Sequence, residues 1–379
     1  MSAIVKDMQI ESIRLEFEKF ILHNNENKNK KHFFNIFMYL VFFIVLFVAT
    51  TLIDLNAQMG DGGYAQGYLN RNIGARAISM GGAYTAIVNE PSAIYYNPAG
   101  IGYLSDEPII STNVTSLSLN RTQSTLMYGQ MLSDEFGIGL GINSFSSGNY
   151  TSRDVMGRPT GTLNDLQYNM ALSMAYRSDA VSFGVTGKYL KNNLQGANVF
   201  GTGYALDLGT KINVADMFSF GMAIQNLSGM MFWNTDLVNK EIIPYTVRTG
   251  IAMEFGLNDE IIETRNSGDG EIETVYLPAT RYVLVAVDAV MHQYESSPRL
   301  NLGVEVVPIE YAAFRAGMSL YGEDNGTPTI FPSNNWGGGI SLRPNFKNLP
   351  FRLNIDYTIS NEFLAESGIS HNFGLIFEF

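Results

Sequence analysis

Four histidines, no cysteine and one acidic run are what this 379-residue chain offers for conventional chemistry. Without cysteine there is no disulfide, no thiolate metal site and no Cys-borne lipid anchor. His23 and His32 lie at or before the start of a long apolar run, which leaves His292 and His371, neither at zinc-ligand spacing. His371 opens the last alternating segment, a place for an interface residue rather than a base. "GDGG" at Gly60–Gly63 has no strand–loop–helix around it and no Lys-Ser/Thr after it, so it does not read as a phosphate cradle. Asp259, Glu260, Glu263, Asp269, Glu271 and Glu273 carry the oxygens for a hard cation, although such a run is more often a solvated loop. No Ser/His or His/Asp/Glu grouping stands out. The chain reads as a non-enzyme without a cofactor, and its net charge of −12 argues against nucleic acid.

The elements point to a membrane. Charged residues are only 16% of the chain, against roughly 25% in average soluble proteins. From Glu107 onward apolar and polar residues alternate. "YNMALSMAY" sets Tyr168, Met170, Leu172, Met174 and Tyr176 opposite Asn169, Ala171, Ser173 and Ala175. "YTVRTGIAMEF" and "FRLNIDYTI" repeat the pattern at 245–255 and 351–359. Period two marks amphipathic strands. About fourteen such segments lie near 108–119, 121–131, 135–146, 166–177, 180–193, 202–213, 217–227, 244–256, 281–294, 298–307, 309–320, 335–344, 350–360 and 370–379. A soluble sandwich would also alternate. Here the polar face is small or charged in pairs (Arg352 with Asp356, Arg248 with Glu254), and Asp207, Asp288 and Glu305 share it. Such charges could line a path or satisfy one another. Aromatics gather at segment ends, as the two girdles of a membrane barrel require. The expected fold is all-β: a transmembrane antiparallel barrel of about fourteen strands over 107–379.

Connections set an orientation. Long ones at 147–165, 191–201 and 228–243 alternate with tight ones at "RSDA" and "NVAD". Outer-membrane barrels keep short turns on the periplasmic side and long loops outside. Met230, Met231, Phe232 and Trp233 fall in an outer loop suited to a partner or lipid, and Tyr294 falls near the same rim. The stretch 257–280 breaks the rule, being long on the tight-turn side. It is either a miscounted strand or a hairpin insertion turning at "NSGDG".

Residues 1–57 read as a leader. The apolar run 33–49, preceded by Lys28, Lys30 and Lys31 and followed by Ala57, has the parts of a secretory signal. A retained helix is the competing reading. Residues 1–27 exceed a normal n-region and point to an early start site.

Residues 58–106 differ from both. "GARAISMGGAYTAIVNEPSAIYYNPAGIGYL" is apolar enough to be buried, yet Pro91, Pro98 and Gly81–Gly82 make it too irregular for a stave. Irregular backbone at membrane depth must pack inside protein. The stretch is expected to be a hatch in the lumen, and Gly137, Gly139 and Gly141 on one face leave room for it.

That stretch, with "GTGYALDLG" at 201–209, "FGMAIQNLSG" at 220–229, "PYTVRTGIAMEF" at 244–255, "SPRLNLGVEV" at 297–306 and the closing "FGLIFEF", resembles the PorV/PorQ family within the FadL-like superfamily. The resemblance implies a fourteen-stranded barrel of the bacterial outer membrane with a hatch motif at Asn97, Pro98, Ala99 and Gly100. It implies a role in type IX protein export beside a larger translocon or secreted cargo. A FadL-like channel for hydrophobic small molecules, with a lateral gap and the hatch as gate, is the alternative. Phe379 and Phe377 resemble the terminal signal read by the barrel assembly machinery.

Overall fold

The computed structural model describes residues 66–379 except 215–216, 236–239, 259–260, 267–271, 278–279, 294–297, 321–334, 345–348 and 363–367. The expected leader, Tyr294 and the side chains of the acidic run at 259–273 lie outside the described residues.

The strands are β1 Ile109–Ser116, β2 Thr122–Met131, β3 Phe136–Ser146, β4 Tyr150–Arg153, β5 Pro159–Ser178, β6 Val181–Gln195, β7 Val199–Val214, β8 Phe218–Trp233, β9 Lys240–Ile242, β10 Thr246–Gly256, β11 Ile261–Asn266, β12 Ile272–Leu277, β13 Tyr282–His292, β14 Arg299–Ile309, β15 Ala312–Leu320, β16 Asn335–Leu342, β17 Arg352–Glu362 and β18 Gly368–Glu378. Fourteen of them form one antiparallel ring, from β1 through β2, β3, β5–β8, β10 and β13–β18. β8 pairs with β10, and β18 returns to β1 with Ile109 opposite Glu378 and Ser116 opposite His371. All fourteen expected segments are strands of this ring. Closure leaves no exposed edge.

Period two sorts side chains between the faces. On β5, Met170, Leu172, Met174 and Tyr176 are 43–50% exposed, while Asn169, Ala171, Ser173 and Ala175 are at most 4% exposed. Phe373 and Phe379 point out on β18 and its end, whereas Ser370 and Asn372 are buried. An apolar exterior around a polar interior is the arrangement of a barrel in hydrocarbon. Among the described residues no helix is long and apolar enough to cross a membrane.

Two expectations change and one open alternative is decided. First, β5 to β8 run for 15 to 20 residues, longer than a tilted span of roughly 9–11 requires. The connection expected at 191–201 is a turn at 196–198 between extended strands, paired from Leu194–Val199 onward. Those extensions are polar ("PTGTLND" at 159–165), so alternation did not mark them. Second, Met230 to Trp233 are not a loop. They end β8, with Met231 fully buried and the Trp233 indole N–H donating to Glu241 Oε2 at 2.9 Å. Third, the stretch 257–280 is a hairpin insertion: β11 pairs with β12, Asn266 opposite Ile272, apart from the ring.

Residues 66–104 fill the lumen. They contain two short helices, α1 Ala75–Ser79 and α2 Ala93–Tyr96, and a 3₁₀ helix at Pro98–Tyr103. Met80, Tyr84, Val88, Ile94 and Ile101 form the centre of the largest apolar cluster, completed by inward residues of the wall such as Met127, Ala171 and Leu284.

Candidate functional site

The segment sits close to the wall because glycines on the inner face let backbone touch backbone. A Cβ on Gly184 would lie 2.2 Å from the Pro98 carbonyl carbon, and one on Gly317 would lie 2.1 Å from that of Met80. Gly139 and Gly141 instead face side chains, Ile94 and the Tyr95 ring, with a Cβ at 2.9 Å from each. No side chain fits at Gly184 or Gly317 without moving the segment.

The four residues Asn97–Gly100 each have a local reason. Asn97 is fully buried, and its Nδ2 donates to the carbonyls of Thr85 and Thr210 at 3.0 Å each. Its Oδ1 accepts from Ala99 N at 3.2 Å, capping the 3₁₀ helix that Pro98 begins. The Ala99 carbonyl accepts from Ser182 Oγ at 2.9 Å. A Cβ on Gly100 would lie 2.5 Å from Val88. The stretch thus joins two parts of the segment to the inner wall at β6 and β7.

Buried charges fasten the other side. The Arg76 guanidinium grips Glu305 through two bonds, Nε to Oε2 at 2.9 Å and Nη2 to Oε1 at 2.7 Å. Arg315, the cross-strand partner of Glu305, also donates to it and reaches Asp356 at 2.8 Å. The Tyr282 hydroxyl adds a bond to Glu305 at 2.8 Å. Asp288 accepts three bonds through one oxygen, from Tyr84 N, Thr85 N and Thr85 Oγ1. The Glu305 group lies in the half of the lumen nearer the tight turns, and Asp288 lies farther along β13, opposite Gly250. They correct the sequence pairing: Asp356 binds Arg315 rather than Arg352, which is exposed. Arg248 faces the Tyr96 ring at 5.0 Å and the Gly82 carbonyl.

Toward the long-loop end a small polar cavity, about 20 Å³, remains between segment and wall. Arg71, Tyr95 and Tyr96 line it from the segment, and Asn169, Lys188, Gln225, Arg248, His292 and Arg299 from the wall. His292 is bonded to Thr246 Oγ1 at 2.6 Å. The sequence placed His292 only outside zinc-ligand spacing, and its partner Thr246 stands directly opposite it on β10. His371 sits on the outer face, 2.8 Å from the Tyr357 hydroxyl.

The wall beside this cavity is irregular. Pairing of β7 with β8 shifts twice, between Tyr204–Met230, Leu206–Leu227 and Leu208–Ile224. β8 carries the extra residues, with Asn226 and Ser228 at positive φ. Behind the break Lys188 pairs with Asp207 at 2.6 Å, and Asp207 also accepts from Asn226 N at 2.8 Å.

Among the described residues no group of three His, Asp or Glu side chains is placed to hold a metal. No family model matches the sequence, and no curated protein does. Two solved structures share its architecture. The Pseudomonas putida toluene transporter TodX matches with a TM-score of 0.53 at 12% identity, over 81% of this chain and 98% of that one. A TodX deltaS2S3 mutant, described as a monoaromatic hydrocarbon channel, matches with a TM-score of 0.54 at 12% identity over the same shares. The chain has the fold of these channels. At this identity the likeness is one of fold alone.

Proposed function

We propose that the protein is an outer-membrane channel for small hydrophobic molecules, with residues 66–104 as its hatch. The observation that carries this is the fold shared with the toluene transporter across 98% of that chain. The filled lumen supports the hatch role, since nothing crosses the ring unless the segment moves. Asn97, Pro98, Ala99 and Gly100 act in this reading as the fixed point about which it is held. The break between β7 and β8 is the place where an apolar solute leaves sideways into the bilayer, because the ladder is already interrupted there. The tight turns face the periplasm and the long β5–β8 hairpins face outward, after removal of the leader. Phe379 and Phe377 serve assembly, supported by their outward row on the closing strand and by Phe351 packed on both rings at 5.6–5.7 Å. Truncation of Phe379 should lower the yield of heat-modifiable barrel in isolated outer membranes.

A porin-deficient bacterial strain expressing the protein should take up dilute toluene faster than the same strain with an empty vector. Equal rates would remove the channel reading.

One observation favours a second reading, export in the manner of PorV: the cavity described is polar and too small for a hydrocarbon. A barrel with its lumen occupied by its own chain suits a component that presents its surface to a translocon or cargo. Gentle detergent extraction decides between them. Recovery with a larger membrane partner or secreted protein supports export, whereas recovery with a bound hydrophobe supports the channel.

A further inference from the structure

We propose that the outer face of β5–β9, at the long-loop rim, is a binding site for a doubly phosphorylated glycolipid of the outer leaflet. This rests on the outward placement of the long hairpins proposed above and not on what the lumen passes.

Strand register carries the argument. Residues directly opposite one another share a face of the sheet. Tyr168, Lys191, Thr202, Phe232 and Lys240 are opposite one another from strand to strand, from β5 to β9. They form one row across the outer wall. Two residues nearer the tight turns lies a second row, Met170, Tyr189, Tyr204, Met230 and Ile242, paired in the same way.

The rows differ in chemistry. The second is apolar with two tyrosines, and Met170, Tyr189, Tyr204 and Ile242 are 49–58% exposed. On β5 the outward residues continue through Leu172 and Met174 to Tyr176. Tyr176 to Tyr168 therefore covers one tilted span, for which roughly 9–11 residues suffice. The first row stands where hydrocarbon gives way to headgroups, and β5 continues above it as the polar "PTGTLND".

The lysines single this row out. Four lysines occur among the described residues. Lys188 and Lys211 are buried in the lumen. The other two, Lys191 and Lys240, both fall in the first row. Among the described residues neither joins an ion pair. Glu241, next to Lys240, turns to the inner face with buried Met231 and accepts from the Trp233 indole. At the opposite rim the tight turns of the same wall expose Asp134, Glu135 and Asp179. The wall is thus cationic toward the outer leaflet alone.

Spacing selects the ligand. Lys191 and Lys240 are three strand spacings apart, about 14–15 Å. Two phosphates at the ends of a disaccharide meet both ammonium groups at once, with Thr202 and Phe232 beneath the sugars. A single phosphate meets one. Acyl chains then lie along the apolar row below. Lysine at this depth keeps its stem in lipid and its charge among headgroups.

The test uses the full-length protein, purified in a non-ionic detergent and stripped of native lipid. Doubly phosphorylated lipid A, its monophosphoryl form, phosphatidylglycerol and inorganic phosphate are titrated, with binding read by native mass spectrometry and thermal unfolding. Saturable binding tightest for doubly phosphorylated lipid A is expected. Lys191→Gln or Lys240→Gln should weaken it by about fivefold, and the pair by about thirtyfold. Changing both to Arg should restore it, and heat-modifiable migration checks that each variant folds. Equal affinity for phosphatidylglycerol, saturation by inorganic phosphate alone, or unchanged affinity in the folded double Gln variant overturns the proposal. An epitope inserted after Gly157 should be reached by antibody on intact cells. If it is reached only after permeabilisation, the outward placement fails even where the purified protein still binds.

Discussion

The two halves of the lumen handle buried charge in opposite ways. Near the tight turns, Glu305 receives Arg76, Arg315 and Tyr282, and Arg315 goes on to Asp356, so each charge faces its opposite. Near the long loops, Lys188 meets Asp207 from strand to strand of the wall, while Asp288 reaches the backbone of the inner segment at Tyr84 and Thr85. The first arrangement holds the inner segment to the wall through its own charged side chain. The second holds it through its backbone and spends an ion pair on the wall itself. The contrast shows that one barrel can fasten the same segment by a charge network on one side and by main-chain bonds on another.

The largest effect expected from breaking this contrast is at Glu305. Glu305→Gln leaves two buried guanidiniums facing a neutral amide and should cost about 3–5 kcal/mol. Denaturant unfolding of the folded barrel in detergent measures it, and a loss below about 1 kcal/mol would deny the cohesive role. A smaller loss is expected at Asn97. Asn97→Ala strips the cap from the 3₁₀ helix and leaves the Thr85 and Thr210 carbonyls without their donor, at about 1–3 kcal/mol. Small-solute permeability in proteoliposomes should rise with it, and unchanged permeability would detach these residues from the hatch. The smallest effect belongs to the long-loop half, at Asn169. Asn169→Ala should change stability by less than about 1 kcal/mol, since neither amide atom makes a well-formed hydrogen bond beside Tyr68. A large loss in the same denaturant assay would show that this half also fastens the segment through side chains and erase the contrast.

How much was legible in the sequence depended on what kind of contact was involved. The fourteen staves could be read because each must turn apolar residues to lipid every second position, as Met170, Leu172 and Met174 do. The stripe Gly137, Gly139 and Gly141 was also readable, because only a close neighbour requires a bare inner face. The extensions of β5–β8 were not, since beyond the hydrocarbon both faces are wet and the alternation lapses. Charge partners were misread for a geometric reason. Arg352 and Asp356 are near in sequence on one strand, but Asp356 meets Arg315 two strands away, across β16 where Gly339 leaves the inner face low. The cavity was invisible for the same reason: Arg248 and His292 stand on paired strands, but Asn169 on β5 is brought to them only by the curvature of the wall.

Ala75 on α1 lies directly behind the joint between the first and last staves. Its amide donates to Asn113 Oδ1 on β1, its carbonyl accepts from Thr358 Oγ1 on β17, and its methyl sits against Gly374 of β18. The zip that completes the cylinder is thus stapled from within by residues that precede every stave in the chain. Closure and internal docking are thereby linked: a cylinder zipped without the helix behind it would lack these contacts and be left with a weakened seam.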